Sequence, residues 1–222
     1  MKAAKNCLVV FWLAALADIF INITGNEALR FYAKPLIIPA LMLYYYYAVA
    51  RHNTLSRLFL LGLFFSFAGD MFLLWDNYFI PGLICFLITH LIYIIYFIKT
   101  ANQVGFHLKK YPLLVIPVVA YAMSLLWILL PTLGALTIPV VIYATVISAM
   151  LLAAINLFRK TAIKVYFYYI TGAVLFVLSD SLLALNKFYH PFPMAGVSIM
   201  VTYILAQYLL TKGSINQFAG SA

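Results

Sequence analysis

Phe64-Phe65-Ser66-Phe67-Ala68-Gly69-Asp70-Met71-Phe72-Leu73-Leu74 places a carboxylate in the middle of a long apolar run. A second run repeats the pattern: Leu175-Phe176-Val177-Leu178-Ser179-Asp180-Ser181-Leu182-Leu183-Ala184. Each reads as apolar residues, a small residue, Asp, then more apolar residues. The surrounding composition says which solvent these runs meet. The chain of 222 residues is 67% hydrophobic and only 9% charged, whereas a soluble domain is about a quarter charged. So little polar surface cannot cover a globule, and the class is integral membrane protein. Runs of about 20 apolar residues span a bilayer as helices. The two-residue alternation of a membrane barrel is absent. The fold class is therefore all-α, a polytopic bundle in one membrane domain. An ionised group in hydrocarbon is costly enough that each such Asp is a functional-site hypothesis by default.

Working outward, the runs predict eight transmembrane helices at about 7–24, 33–50, 56–75, 79–98, 112–130, 136–158, 165–185 and 194–211. Lys34-Pro35 reads as the first turn of the second span, where a proline leaves no broken hydrogen bond. Pro131 and Gly134 mark a tight turn between the fifth and sixth. Tyr44-Tyr45-Tyr46-Tyr47 reads as an interfacial aromatic belt. The tail after Lys212 reads as short and polar. Lys2, Lys5 and Ala15-Leu16-Ala17 before Asp18 also fit a cleaved leader. Asp18 and Asn22 on one helical face favour a retained span.

Basic residues orient the bundle. One set of loops holds Lys2, Lys5, Arg51, Arg57, Lys99, Lys109, Lys110, Arg159, Lys160, Lys164 and Lys212; the other holds Arg30, Lys34 and Lys187. Eleven against three puts both termini in the cytoplasm. The net charge of +9 is thereby a topology signal. No basic patch interleaved with aromatics exists outside these loops, so nucleic acid is not an expected partner. Cys7 and Cys85 lie inside apolar runs and read as packed thiols. The alternating basic loops favour a plasma (inner) membrane.

This topology puts Asp70 and Asp180 at similar depth, a few residues before the outer ends of spans three and seven. Asp18 is a third carboxylate near that layer, and Lys34 enters it from span two. His90 and Tyr93 share a helix face at i and i+3, and Tyr203 and Gln207 at i and i+4. Both pairs are expected to lie deeper. Facing lipid is too costly for such groups, so they converge on a polar chamber open toward the non-cytoplasmic side. The structural alternatives are an Asp–Lys34 pair that only joins helices, a packed His90, and Tyr93, Tyr203 and Gln207 as interhelical hydrogen bonds. Ser66, one turn before Asp70, either bonds backbone or orients the Asp. The near-repeat of the Asp motif relates two four-helix halves in parallel. Paired membrane carboxylates also suit a proton-coupled transporter, although carrier sites lie nearer the midplane.

Lys34-Pro35 with Pro39, Ser66 with Gly69-Asp70, Phe79 through Gly82, Phe86, His90, Tyr93 and Phe97 form one part of a longer pattern. Gly172-Ala173, Phe176, Ser179-Asp180, Tyr203 and Ala206-Gln207 complete it. The pattern resembles the YhhN / TMEM86 lysoplasmalogenase family over spans two to eight. The resemblance implies a membrane hydrolase that cleaves the vinyl ether bond of a lysoplasmalogen. The products would be a fatty aldehyde and glycerophosphocholine or glycerophosphoethanolamine. It implies no cofactor, and the sequence holds no zinc-ligand spacing. The expected partners are a lysophospholipid substrate, membrane lipids and water. Asp70 and Asp180 are expected to divide acid and base roles, in an order the sequence leaves open. Lys34, Ser66, His90, Tyr93, Ser179, Tyr203 and Gln207 are expected to bind substrate or support the pair.

Overall fold

The computed structural model describes residues 2–49, 56–101 and 111–219. Arg51, His52, His107, Lys109 and Lys110 lie outside them. Among the described residues the fold is all-helical and contains no strand. Its long helices are α1 (Lys2–Thr24), α2 (Glu27–Val49), α3 (Arg57–Phe72), α4 (Phe79–Ala101), α5 (Val115–Leu133), α6 (Thr137–Ile155), α7 (Ile163–Ala184) and α8 (Ala195–Ala219). Five helical stretches are long and apolar enough to cross a membrane: Lys2–Thr24, Asp76–Ala101, Pro112–Ile155, Ile163–Tyr189 and Ala195–Gln217. The third contains the α5–α6 hairpin. Its turn is made at Gly134, whose φ of +51° a side chain would strain. α2, with Lys34, two prolines and five tyrosines, and α3, with 16 residues, are not among the five. Large apolar side chains point outward, among them Trp127, Leu113 and Ile138, as a lipid-facing surface requires.

Helix pairs α1/α2, α3/α4 and α7/α8 pack most extensively. One apolar core joins them, built around Phe11, Leu41, Phe59, Tyr93, Tyr169, Phe176 and Leu210. Close approach of α3 and α4 needs a glycine: a Cβ on Gly69 would lie 2.7 Å from the Phe86 ring. Ser56 caps α3 by accepting the Phe59 N–H, at 3.3 Å. The α5–α6 hairpin is more peripheral and carries a small apolar cluster of its own, Leu129, Leu133 and Val140.

Three expectations change. α2 begins at Glu27, so Pro35 and Pro39 lie inside it. Lys34 thereby moves about 10 Å down the helix and is buried, 5% exposed. Neighbouring helices make interior prolines tolerable in such bundles. Second, α8 does not stop near Lys212 but runs to Ala219. Its last turns stay helical because Ser214 is buried and bonded to Tyr96 and Tyr45. Third, the tyrosine run is only half a belt. A helical period turns Tyr46 and Tyr47 outward and Tyr44 and Tyr45 inward. The buried Tyr45 hydroxyl accepts from the Ser56 N–H at 3.2 Å.

Candidate active site

The polar side chains of α2, α3, α4, α6, α7 and α8 meet near one end of the bundle. Asp70, on α3, is 3% exposed. Its Oδ1 lies 3.6 Å from Lys34 Nζ of α2. Its Oδ2 accepts a 2.7 Å hydrogen bond from the Tyr203 hydroxyl of α8. A buried carboxylate is stable only when paired and hydrogen-bonded, and Asp70 has both partners.

Asp180, on α7, is partly exposed. Its Oδ2 lies 3.1 Å from His90 Nε2 of α4. The same oxygen accepts a hydrogen bond from the Tyr143 hydroxyl of α6. Tyr143 and His90 Nε2 are themselves 3.0 Å apart, closing a three-membered cluster. The His90 ring stands edge-on against Phe176, with centroids 4.7 Å apart. An imidazole so held is oriented toward Asp180 by packing as well as by hydrogen bonding.

Both carboxylates border one cavity of about 310 Å³. Lys34, Arg30 and Lys187 supply positive charge on its walls, and Asp76 and Asn186 complete its polar lining. Ser179 also lines it and donates to the Ile199 carbonyl at 3.1 Å, tying α7 to α8. Asn186 and Lys187 reach the cavity from a π-helical turn, Leu185–Tyr189, that extends α7. Such turns recur at functional sites. Lys187 Nζ lies 3.4 Å from Asp76 across the rim. This ensemble can hold an anionic group beside two carboxylates, with oriented hydroxyl and imidazole groups at hand.

Several predicted residues sit elsewhere. Ser66, Tyr93 and Gln207 do not line the cavity; they form a buried polar layer beneath it. Gln207 Nε2 donates to Ser66 at 2.9 Å, and Tyr93 donates to Gln207 Oε1 at 3.2 Å. Ser66 also bonds Thr89, at 3.3 Å, and is therefore not the orienting partner of Asp70. His90 and Tyr203, expected deeper than the carboxylates, contact them directly. Tyr93 and Gln207 do lie one turn further in, and a second hydroxyl cluster comes after them where Tyr96 meets Tyr169 at 2.7 Å. Asp18 is fully buried behind the cavity, hydrogen-bonded to Asn22 and 4.0 Å from Arg30 Nε. Among the described residues no three His, Cys, Asp or Glu side chains gather as a metal site.

Sequence reasoning passed over Tyr143 and gave Arg30 a part only in orienting the bundle. Tyr143 is one aromatic residue in an apolar span, with no charge to draw notice. The near-repeat points to its neighbourhood. Lys34 precedes Asp70 by 36 residues, and Tyr143 precedes Asp180 by 37. Placing the two Asp motifs in register sets Tyr143 opposite the region of Lys34.

The profile of the YhhN family matches residues 29–214. Among curated proteins, the chain is 34% identical to human lysoplasmalogenase TMEM86A over 175 residues, which is 74% of this chain and 67% of that protein. It is 32% identical to the Bos taurus TMEM86A lysoplasmalogenase over 173 residues, with the same coverage. A Mycobacterium tuberculosis lysoplasmalogenase is 34% identical over 156 residues, 68% of this chain and 58% of that protein. No solved structure matches the chain.

Proposed function

The chain belongs to the YhhN family, and from that premise we propose that it is a lysoplasmalogenase using Asp70 and Asp180 as an acid–base pair. The observation that carries the site assignment is that both carboxylates border one cation-lined cavity. A vinyl ether, R–CH=CH–O–R′, is cleaved by water in three steps. An acid protonates the alkene carbon nearer the hydrocarbon chain, leaving an oxocarbenium ion. Water adds to the carbon bonded to oxygen and loses a proton to a base. The hemiacetal then breaks its C–O bond, giving R–CH2–CHO and HO–R′. One proton is consumed and one returned.

The roles derive from position. Asp180 also borders an apolar pocket between α5, α6 and α7, which puts it beside the chain-side carbon, the one to be protonated. It is the acid. The Tyr143 hydroxyl and His90 receive the charge left on it and offer a route for reprotonation. Asp70 stays on the polar side, with the Lys34 ammonium as its counter-ion. It stabilises the cation and takes the proton from attacking water. Lys34 is thus partner to Asp70 before it is a headgroup ligand. Arg30 and Lys187 are better placed to meet a phosphate entering the cavity.

The eight helices cross a plasma (inner) membrane with both termini cytoplasmic and the cavity facing the non-cytoplasmic side. The support is the placement of Arg30, Lys34 and Lys187 at the cavity end, with Arg57, Lys99 and Lys212 among the described residues toward the opposite one. Transport by the same carboxylates is less favoured, since the named relatives are hydrolases.

The test is aldehyde release from a lysoplasmalogen by the purified protein, beside Asp70→Asn and Asp180→Asn variants shown to be folded. The expected result is aldehyde from the wild type alone. In heavy water the aldehyde should carry deuterium next to its carbonyl. No aldehyde from folded wild-type protein would remove the assignment, and uptake into vesicles would be measured next.

A further inference from the structure

We propose that the cleft between α5 and α6 is the binding site for the hydrocarbon chain of the substrate, threaded from Asp180 along α6 toward Leu152. This rests on the lysoplasmalogenase reading and names where its substrate's apolar half lies. Three observations carry it.

The first is continuity. Asp180 lines both the polar cavity and an apolar pocket of about 50 Å³ that Tyr143 also lines. That pocket shares Ala122, Leu126, Ala144 and Ser148 with a larger apolar cleft of about 290 Å³. Cationic chamber, carboxylate, apolar pocket and apolar cleft thus follow one another in that order. A molecule with a phosphate at one end and a single chain at the other has that order of parts.

The second is length. The cleft reaches Leu152 on α6, nine residues beyond Tyr143. At helical rise this is about 14 Å. Half of a hydrocarbon core about 30 Å thick is nearly the same distance, and it is the reach of one lipid chain in one leaflet.

The third is the width of the cleft. Its walls are lined by small residues, Ala122, Ala144, Ser148 and Ala149, where larger side chains would close it. The equivalent pair in the first half, α1 and α2, is packed into the main core. At the level of Asp180 the α5 helix is held to α7 by a 2.9 Å hydrogen bond from Tyr121 to Ser181. The opening therefore has a fixed end at the carboxylate.

Chain-length selectivity tests the proposal. Ala149 lies six residues, about 9 Å, beyond Tyr143. Ala149→Phe should block long chains and spare chains shorter than that reach. For a long-chain lysoplasmalogen kcat/KM should fall about tenfold or more, while a short-chain one stays near wild type. Ala144→Phe, close to Asp180, should impair both. Val119→Trp narrows the cleft from the α5 side at a half-exposed position, and it should repeat the Ala149→Phe pattern even where that variant fails to fold. Equal effects of Val119→Trp or Ala149→Phe on all chain lengths, or none, would overturn the cleft while leaving an active enzyme. A folded wild type that releases no aldehyde at any chain length would instead overturn the reading on which the cleft rests.

Discussion

The two carboxylates occupy corresponding places in the two halves of the chain, and their partners differ. Asp70 on α3 is met by Lys34 of α2 and Tyr203 of α8. Asp180 on α7 is met by Tyr143 of α6 and His90 of α4. Exchanging the first four helices for the last four carries one arrangement into the other. What changes is chemistry. The first half gives its Asp a permanent cation and nearly complete burial. Asp180 instead has an imidazole, lent by the first half, beside its phenol, with part of the carboxylate open. The hairpins differ in the same sense, α1/α2 being packed into the core and α5/α6 leaving a cleft. A repeated scaffold thus supplies two like groups and then makes them unlike, which acid–base catalysis with two carboxylates requires.

The largest effect should come from removing either carboxylate. Asp70→Asn and Asp180→Asn should each lower kcat by about 100-fold or more, measured as aldehyde release from folded protein. Full activity in one of them would confine chemistry to the other half. Next comes stability. Lys34→Met leaves Asp70 buried without its cation and should cost about 3 kcal/mol, read as a fall in melting temperature in detergent. Adding Asp70→Asn should recover part of that loss. Recovery to the wild-type value without activity would leave Asp70 essential to the chemistry and Lys34 needed only as its partner.

Tyr143→Phe removes the hydroxyl that Asp180 shares with His90. It should lower kcat about tenfold, the scale of a hydrogen bond to a charged group, and change the pH profile of kcat. A Tyr143→Phe enzyme with unchanged kcat and pH profile would separate Tyr143 from the cluster. The smallest effect belongs to the rim. Lys187→Ala should raise KM a few-fold with kcat intact, because exposed charges are worth little, and the difference should shrink in high salt.

The fold class was legible because hydrophobic composition and span length are properties of local sequence. The site was legible in part for a related reason: a charge in an apolar run stands out. Asp70, Asp180, His90 and Lys34 declare themselves in this way. Lys34 nevertheless lies deeper than Lys34-Pro35 suggests, because α2 carries its prolines inside rather than in its first turn. Gln207 and Ser66 stand out as polar residues, yet nothing in their spacing reveals that they bond each other beneath the cavity. That depends on how α3 and α8 approach. Tyr143 was hidden because an aromatic residue in a span is ordinary. The α5/α6 cleft was hidden because small residues read equally well as close packing.

The position of Asp180 on both the polar cavity and the apolar pocket also bears on the fate of the products after bond cleavage. In the proposed reaction the scissile bond lies where two solvents meet. The polar alcohol has a path to water, and the fatty aldehyde has a path to lipid. Each product would partition into its own phase from the site of its formation. Neither would need to cross the other's medium, and their re-encounter, which reversal requires, would be suppressed by their separation alone.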